Sequence, residues 1–299
     1  MADLIGKTPT VIALGYFDSV HIGHQKVINK ALTVAENLSA KTVVFTFNGD
    51  LKSALYGSLE GCVYTVNERE YILADLGVNE MLSAPVSKAF LSKGKRAFLN
   101  YINKNYDVKA YVCGNDYRFG NKGCGDVKYL KKYAKAHGQN VVIVDTVLSN
   151  GKKIATTEIK KLLINGEIEK ANQLLGRAYS VTGTVFKDRS VGASLGFPTV
   201  NIGVSNEKLS FKKGVYAGHV YVDGKKHTAV INYGARPTFN LATSLIEGHI
   251  LDYSGDLYGA ELTIYFDYFL RDIIKFNSKE DLIERLKQDV DKVREKKND

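Results

Sequence analysis

Residues 11–26 constrain this chain more than any other stretch. Val11, Ile12, Ala13 and Leu14 make an apolar run of strand length, Gly15 to Asp18 reads as a turn, and His21-Ile22-Gly23-His24 opens a helical pattern that continues to about Leu38. A helix N-terminus offers free N–H groups and the positive end of its dipole, a natural place for phosphate. His21 and His24 are three apart, so in a first helical turn both imidazoles share one face. Gly23 lets a polyphosphate approach the backbone closely. Two imidazoles there can donate hydrogen bonds to phosphate oxygens as charge builds on them. The stretch suits attack on the α-phosphate of a nucleotide. Two surface histidines on an ordinary helix are the plainer alternative.

Composition narrows the class. The 299 residues are 44% hydrophobic and 24% charged, as expected of a soluble globular protein of one or two domains. No apolar run reaches the ~18 residues of a membrane helix, and no basic region followed by an apolar core marks a signal peptide. Cys62, Cys113 and Cys124 are odd in number and lack metal spacing, which points to reduced thiols in the cytoplasm. The net charge is +9, and residues 1–177 carry 24 Lys+Arg against 16 Asp+Glu. These cations are scattered, with no dense block or basic-aromatic ladder. A solvated surface that helps attract polyphosphate is therefore expected rather than nucleic-acid binding.

The first half alternates strands (10–16, 41–47, 80–83, 109–113, 140–145) with helices (22–38, 67–76, 94–105, 126–137, 156–174). That alternation predicts a parallel sheet with helices on both faces and a site beyond the strands' carboxyl ends. His21, Asn48 and Asn115 all follow strands and can converge there. Near Gly176 the character changes to short strands (179–187, 197–202, 214–222, 227–233, 245–251, 261–267), with a hairpin signal at Asp223-Gly224. One helix closes the chain from Ser278, its N-cap, to about Val293. The expected fold is α/β. A Rossmann-like nucleotidyltransferase domain (1–175) precedes a small antiparallel β-barrel with a C-terminal helix (176–299).

The second half holds two further candidates. Thr199 and Asn201, two apart, share a face if they lie on one strand, and their hard oxygens suit Mg²⁺ bound with phosphate. Glu247 and His249 share a face of another strand. A fixed carboxylate can take the proton of an alcohol as it attacks a phosphate. Spacing alone fits polar residues facing water equally well at both places.

Together the halves resemble the bacterial bifunctional riboflavin kinase/FMN adenylyltransferases (FAD synthetases). The resemblance spans about residues 10–290. In the first half it rests on Gly15 to Gln25 and on Gly114-Asn115-Asp116-Tyr117-Arg118-Phe119-Gly120. In the second it rests on Leu175-Gly176-Arg177, Gly196-Phe197-Pro198-Thr199-Val200-Asn201-Ile202, Gly214-Val215-Tyr216 and Asn232 to Phe239. Glu247-Gly248-His249, Gly255 to Gly259 and Phe269-Leu270-Arg271-Asp272 complete it. The resemblance implies ATP-dependent phosphorylation of riboflavin to FMN in the second half. It implies adenylylation of FMN to FAD, with release of pyrophosphate, in the first. Glu247 then corresponds to the general base, Thr199 and Asn201 to the Mg-nucleotide residues, and Arg271, Tyr216 and Asp256 to the flavin side. Gly196 and Pro198 join the nucleotide loop. His21 and His24 correspond to the catalytic phosphate-binding histidines. Gly15, Phe17, Asp18, Gly23, Asp116, Arg118, Thr157 and Lys160 form their nucleotide site.

Three departures from the family pattern fall in the first half. Ser19 stands for a usual glycine, tolerable at negative φ and costly at positive φ. Phe47-Asn48-Gly49-Asp50-Leu51 replaces a usual Pro-His-Pro. Ile154-Ala155-Thr156-Thr157-Glu158-Ile159-Lys160 loses one hydroxyl and carries a lysine for an arginine, without the bidentate fork. An alternative is therefore a riboflavin kinase with a weakened or inactive adenylyltransferase domain. His-Ile-Gly-His also occurs in class I aminoacyl-tRNA synthetases, but no Lys-Met-Ser-Lys-Ser-like loop or tRNA-binding extension is found.

Overall fold

The computed structural model describes residues 7–57, 60–187, 196–235 and 244–296. The chain forms two compact units, Met1–Thr156 and Thr157–Asp299. Of the segments that carry the resemblance, Arg236 to Phe239 lie outside the described residues.

The first unit is built on five parallel strands: β1 (Pro9–Leu14), β2 (Lys41–Phe47), β3 (Glu80–Ala84), β4 (Asp107–Gly114) and β5 (Asn140–Val144), in the order β3-β2-β1-β4-β5. Side-chain alternation sorts each strand onto two faces. Ile12, Leu14, Val43, Phe45, Tyr111 and Cys113 pack against α5 (Lys95–Asn105) and α6 (Val127–Ala136) through Phe98, Leu99, Ile102 and Leu130. Val11, Ala13, Val44, Ala110 and Val112 face α1 (Ile22–Asn37) and α3 (Val66–Asp75) through Val27, Ile28, Ala31 and Leu73. Burial on both faces explains why the strands read as unbroken apolar runs. The strand order reverses between β1 and β4, so the switch-point crevice lies beyond Leu14 and Gly114.

Two short helices were not anticipated: α2 (Leu51–Tyr56) and α4 (Lys88–Leu91). Asp50 starts the first by accepting from Ser53 N at 3.1 Å, and Ser87 caps the second by accepting from Phe90 N at 3.3 Å. A small hairpin, β6 (Leu148–Ser149) and β7 (Lys152–Lys153), follows β5.

The expected helix 156–174 is two helices, α7 (Thr156–Asn165) and α8 (Ile168–Leu175). Gly166 breaks it. Its φ of +79° lies in the left-handed region, and a Cβ there would meet Lys212 Cδ at 2.6 Å. Six strands then close a barrel in the order β10-β11-β12-β9-β8-β13. They are β8 (Tyr179–Phe186), β9 (Val200–Gly203), β10 (Gly214–Val222), β11 (Lys225–Ala235), β12 (Ser244–Ile250) and β13 (Glu261–Arg271). Tyr179, Tyr216, Tyr233 and Phe266 are fully or almost fully buried and, with Phe211, form an aromatic cluster in this unit. Outside, Val215, Ala217 and Val230 pack under Val293 of α9 (Lys279–Glu295). Ser278 caps that helix, accepting from Asp281 N at 3.1 Å.

Candidate functional site

At the crevice of the first unit, the turn after β1 is shaped by Phe17. Its φ is +51°, its ring packs edge-on against His24 at 5.2 Å, and a Cβ on Gly15 would meet that ring at 2.6 Å. Gly15 is therefore required by Phe17. His21 is the N-cap of α1: His24 N donates to its Nδ1 at 3.1 Å. A neutral His21 then carries its proton on Nε2. The two imidazoles stack at 3.6 Å with 10° between planes. A Cβ on Gly23 would press on His21 Cε1 at 3.0 Å, so Gly23 makes room for the cap itself.

Asp18 anchors the same turn. It is 1% exposed and its Oδ1 accepts from Val63 N at 2.9 Å, so it ties the turn to the segment before α3. Ser19 is absent from the positive-φ positions, which here are Phe17 and Val20. Its hydroxyl lies 2.9 Å from Thr156 Oγ1. The serine is accommodated without backbone strain.

The segment in place of Pro-His-Pro is ordered by its own bonds. Asn48 Oδ1 accepts from Val86 N at 3.1 Å, and the Tyr16 hydroxyl donates to Gly49 O and accepts from Leu51 N, both at 3.0 Å. Burial, with Asp18 beside it, pushes the Tyr16 phenol well above its usual range, so it stays a neutral two-way link. Behind it, Arg69 is 1% exposed and donates to Thr46 Oγ1 (2.8 Å), Tyr16 O (3.3 Å) and Phe47 O (2.7 Å). This buried guanidinium fixes the carboxyl ends of β1 and β2. Sequence reading passed over it, because a single arginine on a short helix carries no motif.

A cavity of about 1150 Å³ opens beyond these strand ends. Tyr16, Phe47, Phe90, Tyr117 and Phe119 give it aromatic walls, and Lys88, Lys93, Arg118 and Lys122 give it positive charge. Tyr117 and Phe119 stack at 5.7 Å. Arg118 thus lines the cavity, while Asp116, on the exposed loop after β4, pairs with Lys153. Lys160, buried at 2% exposure, and Thr157 lie on α7.

In the barrel, strand register assembles the second site. Asn201 on β9 pairs with Glu247 on β12, Glu247 with Asn232 on β11, Asn232 with Val215 on β10, and Val215 with Arg271 on β13. Directly opposed residues share a sheet face, so Asn201, Glu247, Asn232 and Val215 form one row across the outside of the barrel, and a register shift between Val215 and Tyr216 brings Arg271 opposite Val215 at its end. Asn232 Nδ2 donates to Glu247 Oε2 at 3.3 Å. Asn201 is 5% exposed, and its Oδ1 has no hydrogen-bond partner among the described residues.

Thr199 does not share a strand with Asn201. The strand begins at Val200, because Pro198 has no N–H for the ladder and its carbonyl is taken by the His249 ring N–H at 2.8 Å. His249 thereby anchors the Gly196–Thr199 loop, with its ring edge-on to Phe197 at 5.3 Å. Gly196, at φ +84°, makes the turn into that loop. Tyr216 is fully buried, its hydroxyl donating to Lys212 O, and it serves the barrel core. Asp256 lies on an exposed turn, accepting from Tyr258 N at 2.9 Å. Arg271 is held by Asp289 of α9.

A FAD synthetase family model matches residues 5–158, and a riboflavin kinase family model matches residues 175–297. The bifunctional riboflavin kinase/FMN adenylyltransferase of Listeria monocytogenes is 36% identical over 282 residues, covering 93% of this chain and 90% of that one. The chain belongs to the bifunctional riboflavin kinase/FMN adenylyltransferase family. Its namesake in Bacillus subtilis is 30% identical over 288 residues, 95% of this chain and 91% of the relative. A crystal structure described as a macrolide-efflux protein from Streptococcus pneumoniae matches with a TM-score of 0.84 at 30% identity, covering 96% of this chain and 94% of that one. Among the described residues here, no helix is long and apolar enough to cross a membrane. Both family models matching one chain favours the two-reaction reading over a kinase with a lost partner domain.

Proposed function

We propose that this chain makes FAD from riboflavin in two ATP-dependent steps. The barrel phosphorylates the riboflavin 5′-hydroxyl to give FMN. The α/β unit transfers AMP from ATP to FMN and releases pyrophosphate. The observation that carries the reading is the Asn201–Glu247–Asn232 row. It puts a carboxylate, held by a neutral amide, one strand away from a buried oxygen that lacks a partner among the described residues.

In this reading Glu247 accepts the proton of the attacking hydroxyl, and Asn232 fixes the carboxylate while leaving its charge intact. Asn201 Oδ1 and the Thr199 hydroxyl fit Mg²⁺ carried in with the nucleotide. They are hard, neutral oxygens, and among the described residues no group of three or more His, Cys, Asp or Glu could hold a metal alone. A magnesium ion bound with ATP would neutralise charge on the phosphates. His249 keeps the Gly196–Thr199 loop against the barrel, so the nucleotide loop is positioned before substrate arrives.

In the first unit, His21 Nε2–H and the free N–H groups of α1 are donors for the α-phosphate as AMP is transferred. The aromatic cavity has room for a flat heteroaromatic ring, and its lysines and Arg118 suit the FMN phosphate. The functional boundary assigns residues 1–175 to adenylyl transfer and 176–299 to the kinase. The substrates are small molecules, with no nucleic acid or membrane involved. Three free cysteines, two of them buried, fit a reducing cytoplasm. Chromatography of products after incubation with riboflavin and MgATP, and again with FMN and MgATP, tests the proposal. FMN then FAD is expected, and neither product would refute it.

A further inference from the structure

The row that carries Glu247 ends at Arg271, and Arg271 is not left to find its own geometry. Asp289, on the C-terminal helix α9, is 0% exposed. Its carboxylate accepts from Arg271 Nε at 3.1 and 3.0 Å and from Arg271 Nη2 at 2.6 Å. Arg285, one turn earlier on the helix, lies 3.4 Å from the same carboxylate. Arg271 Nη1 donates to Asp272 O at 3.1 Å. Of the five guanidinium N–H groups, one on each terminal nitrogen has no partner among the described residues. A bidentate arrangement of this kind fixes direction as well as charge.

We infer that Asp289 is a positioning residue for the flavin substrate of the kinase: it aims Arg271 along the barrel row, making α9 one wall of the acceptor site. The inference rests on the kinase reading of the barrel. If Asn201 marks the phosphate-donor side of Glu247, the alcohol acceptor must approach from the other side. That side runs over Asn232 and Val215 to Arg271, three strand spacings or roughly 14 Å away. Val215 packs with Val293 of α9, so the same helix that holds Asp289 also borders this track. A carboxylate taken wholly out of water for packing alone is a poor stabiliser compared with an apolar side chain. Its retention between two arginines fits a demand for orientation.

Steady-state kinetics of Asp289→Asn in the full chain tests this. The KM for riboflavin should rise about tenfold, the cost of misaiming one charge-assisted contact, while the KM for ATP stays within about twofold. Arg285→Gln, which removes the other partner of Asp289, should leave both constants unchanged. If the KM for riboflavin does not move in Asp289→Asn, or both KM values rise together, the inference is overturned. Should Asp289→Asn not fold, the apolar pair Arg271→Leu/Asp289→Leu restores packing without the buried charge. A folded double variant whose riboflavin KM is raised as in Arg271→Leu alone, with an ordinary ATP KM, supports Asp289 acting through Arg271; a wild-type riboflavin KM, or one raised beyond that of Arg271→Leu, refutes it. Failure of the wild-type chain to form FMN would instead refute the kinase reading itself.

Discussion

Ser19 Oγ lies 2.9 Å from Thr156 Oγ1, joining the turn after β1 to the last residue of the first unit. Ser19 is one of the departures from the family pattern, and the hydroxyl it meets is one that the Ile154 to Lys160 segment keeps. Ser19→Ala should lower stability by about 1 kcal/mol, the net worth of one hydrogen bond. Thr156→Ala should cost a similar amount, and the double variant should cost less than the sum. Urea denaturation of the four proteins reads this coupling.

The neutral Asn232 amide donates a hydrogen bond that holds the Glu247 carboxylate. Asn232→Ala should lower kcat for FMN formation by about tenfold, as a general base loses its orientation. It should leave FAD formation from supplied FMN unchanged. A change in both rates would mean that Asn232 acts on the fold rather than on the base.

Gly196 has φ +84° and open space where a Cβ would go. Gly196→Ala therefore strains the backbone without a clash, at a cost of about 1 kcal/mol. The strain falls on the loop anchored by His249, so the KM for ATP in the kinase reaction should rise while that for riboflavin holds. Initial rates at varied ATP measure this.

Cys62 and Cys113 are buried, and Cys124 is exposed. Burial pushes the Cys113 thiol up to about 12, so almost no thiolate is present at pH 8. A thiol reagent at pH 8 should modify one cysteine in the native protein and all three in denaturant. Rapid modification of a second thiol in the native state would contradict this packing.

Glu80 is partly buried, which raises its pKa, but hydrogen bonds from Lys41 (2.7 Å) and Tyr106 outweigh that and hold the carboxyl below its ordinary value of 4.5. A depressed carboxyl stabilises the fold above its unfolded pKa and loses that contribution as pH falls through the folded value. Stability should thus fall below about pH 4.5, and less so in Glu80→Gln. The side chain is 41% exposed, so screening keeps the effect below about 1 kcal/mol. Melting curves from pH 3 to 7 measure the difference.

The elements most legible in sequence were those with a strong local pattern. The runs at 10–16 and 41–47 anticipated β1 and β2 because burial on both faces demands unbroken apolar sequence. The Ser278 cap announced the last helix for the same kind of reason. What could not be read depends on tertiary contact. Gly166 breaks α7 from α8 where Lys212 approaches, and nothing adjacent in sequence signals that approach. The Asp18 carboxylate accepts from Val63 N, 45 residues away, a tie that no local pattern announces. Thr199 and Asn201 look like strand neighbours until His249, 51 residues from Pro198, takes the carbonyl that the ladder would need. The row from Asn201 to Arg271 is invisible in sequence because register across five strands is a property of the closed barrel.

Two separate sites on one chain are the central claim, and one variant separates them. Glu247→Gln is assayed with riboflavin and MgATP, and in parallel with FMN and MgATP, with both products followed by chromatography. The account predicts that FMN formation falls by at least about a hundredfold while FAD formation from FMN keeps its wild-type rate. Loss of both reactions, or survival of FMN formation, would contradict it.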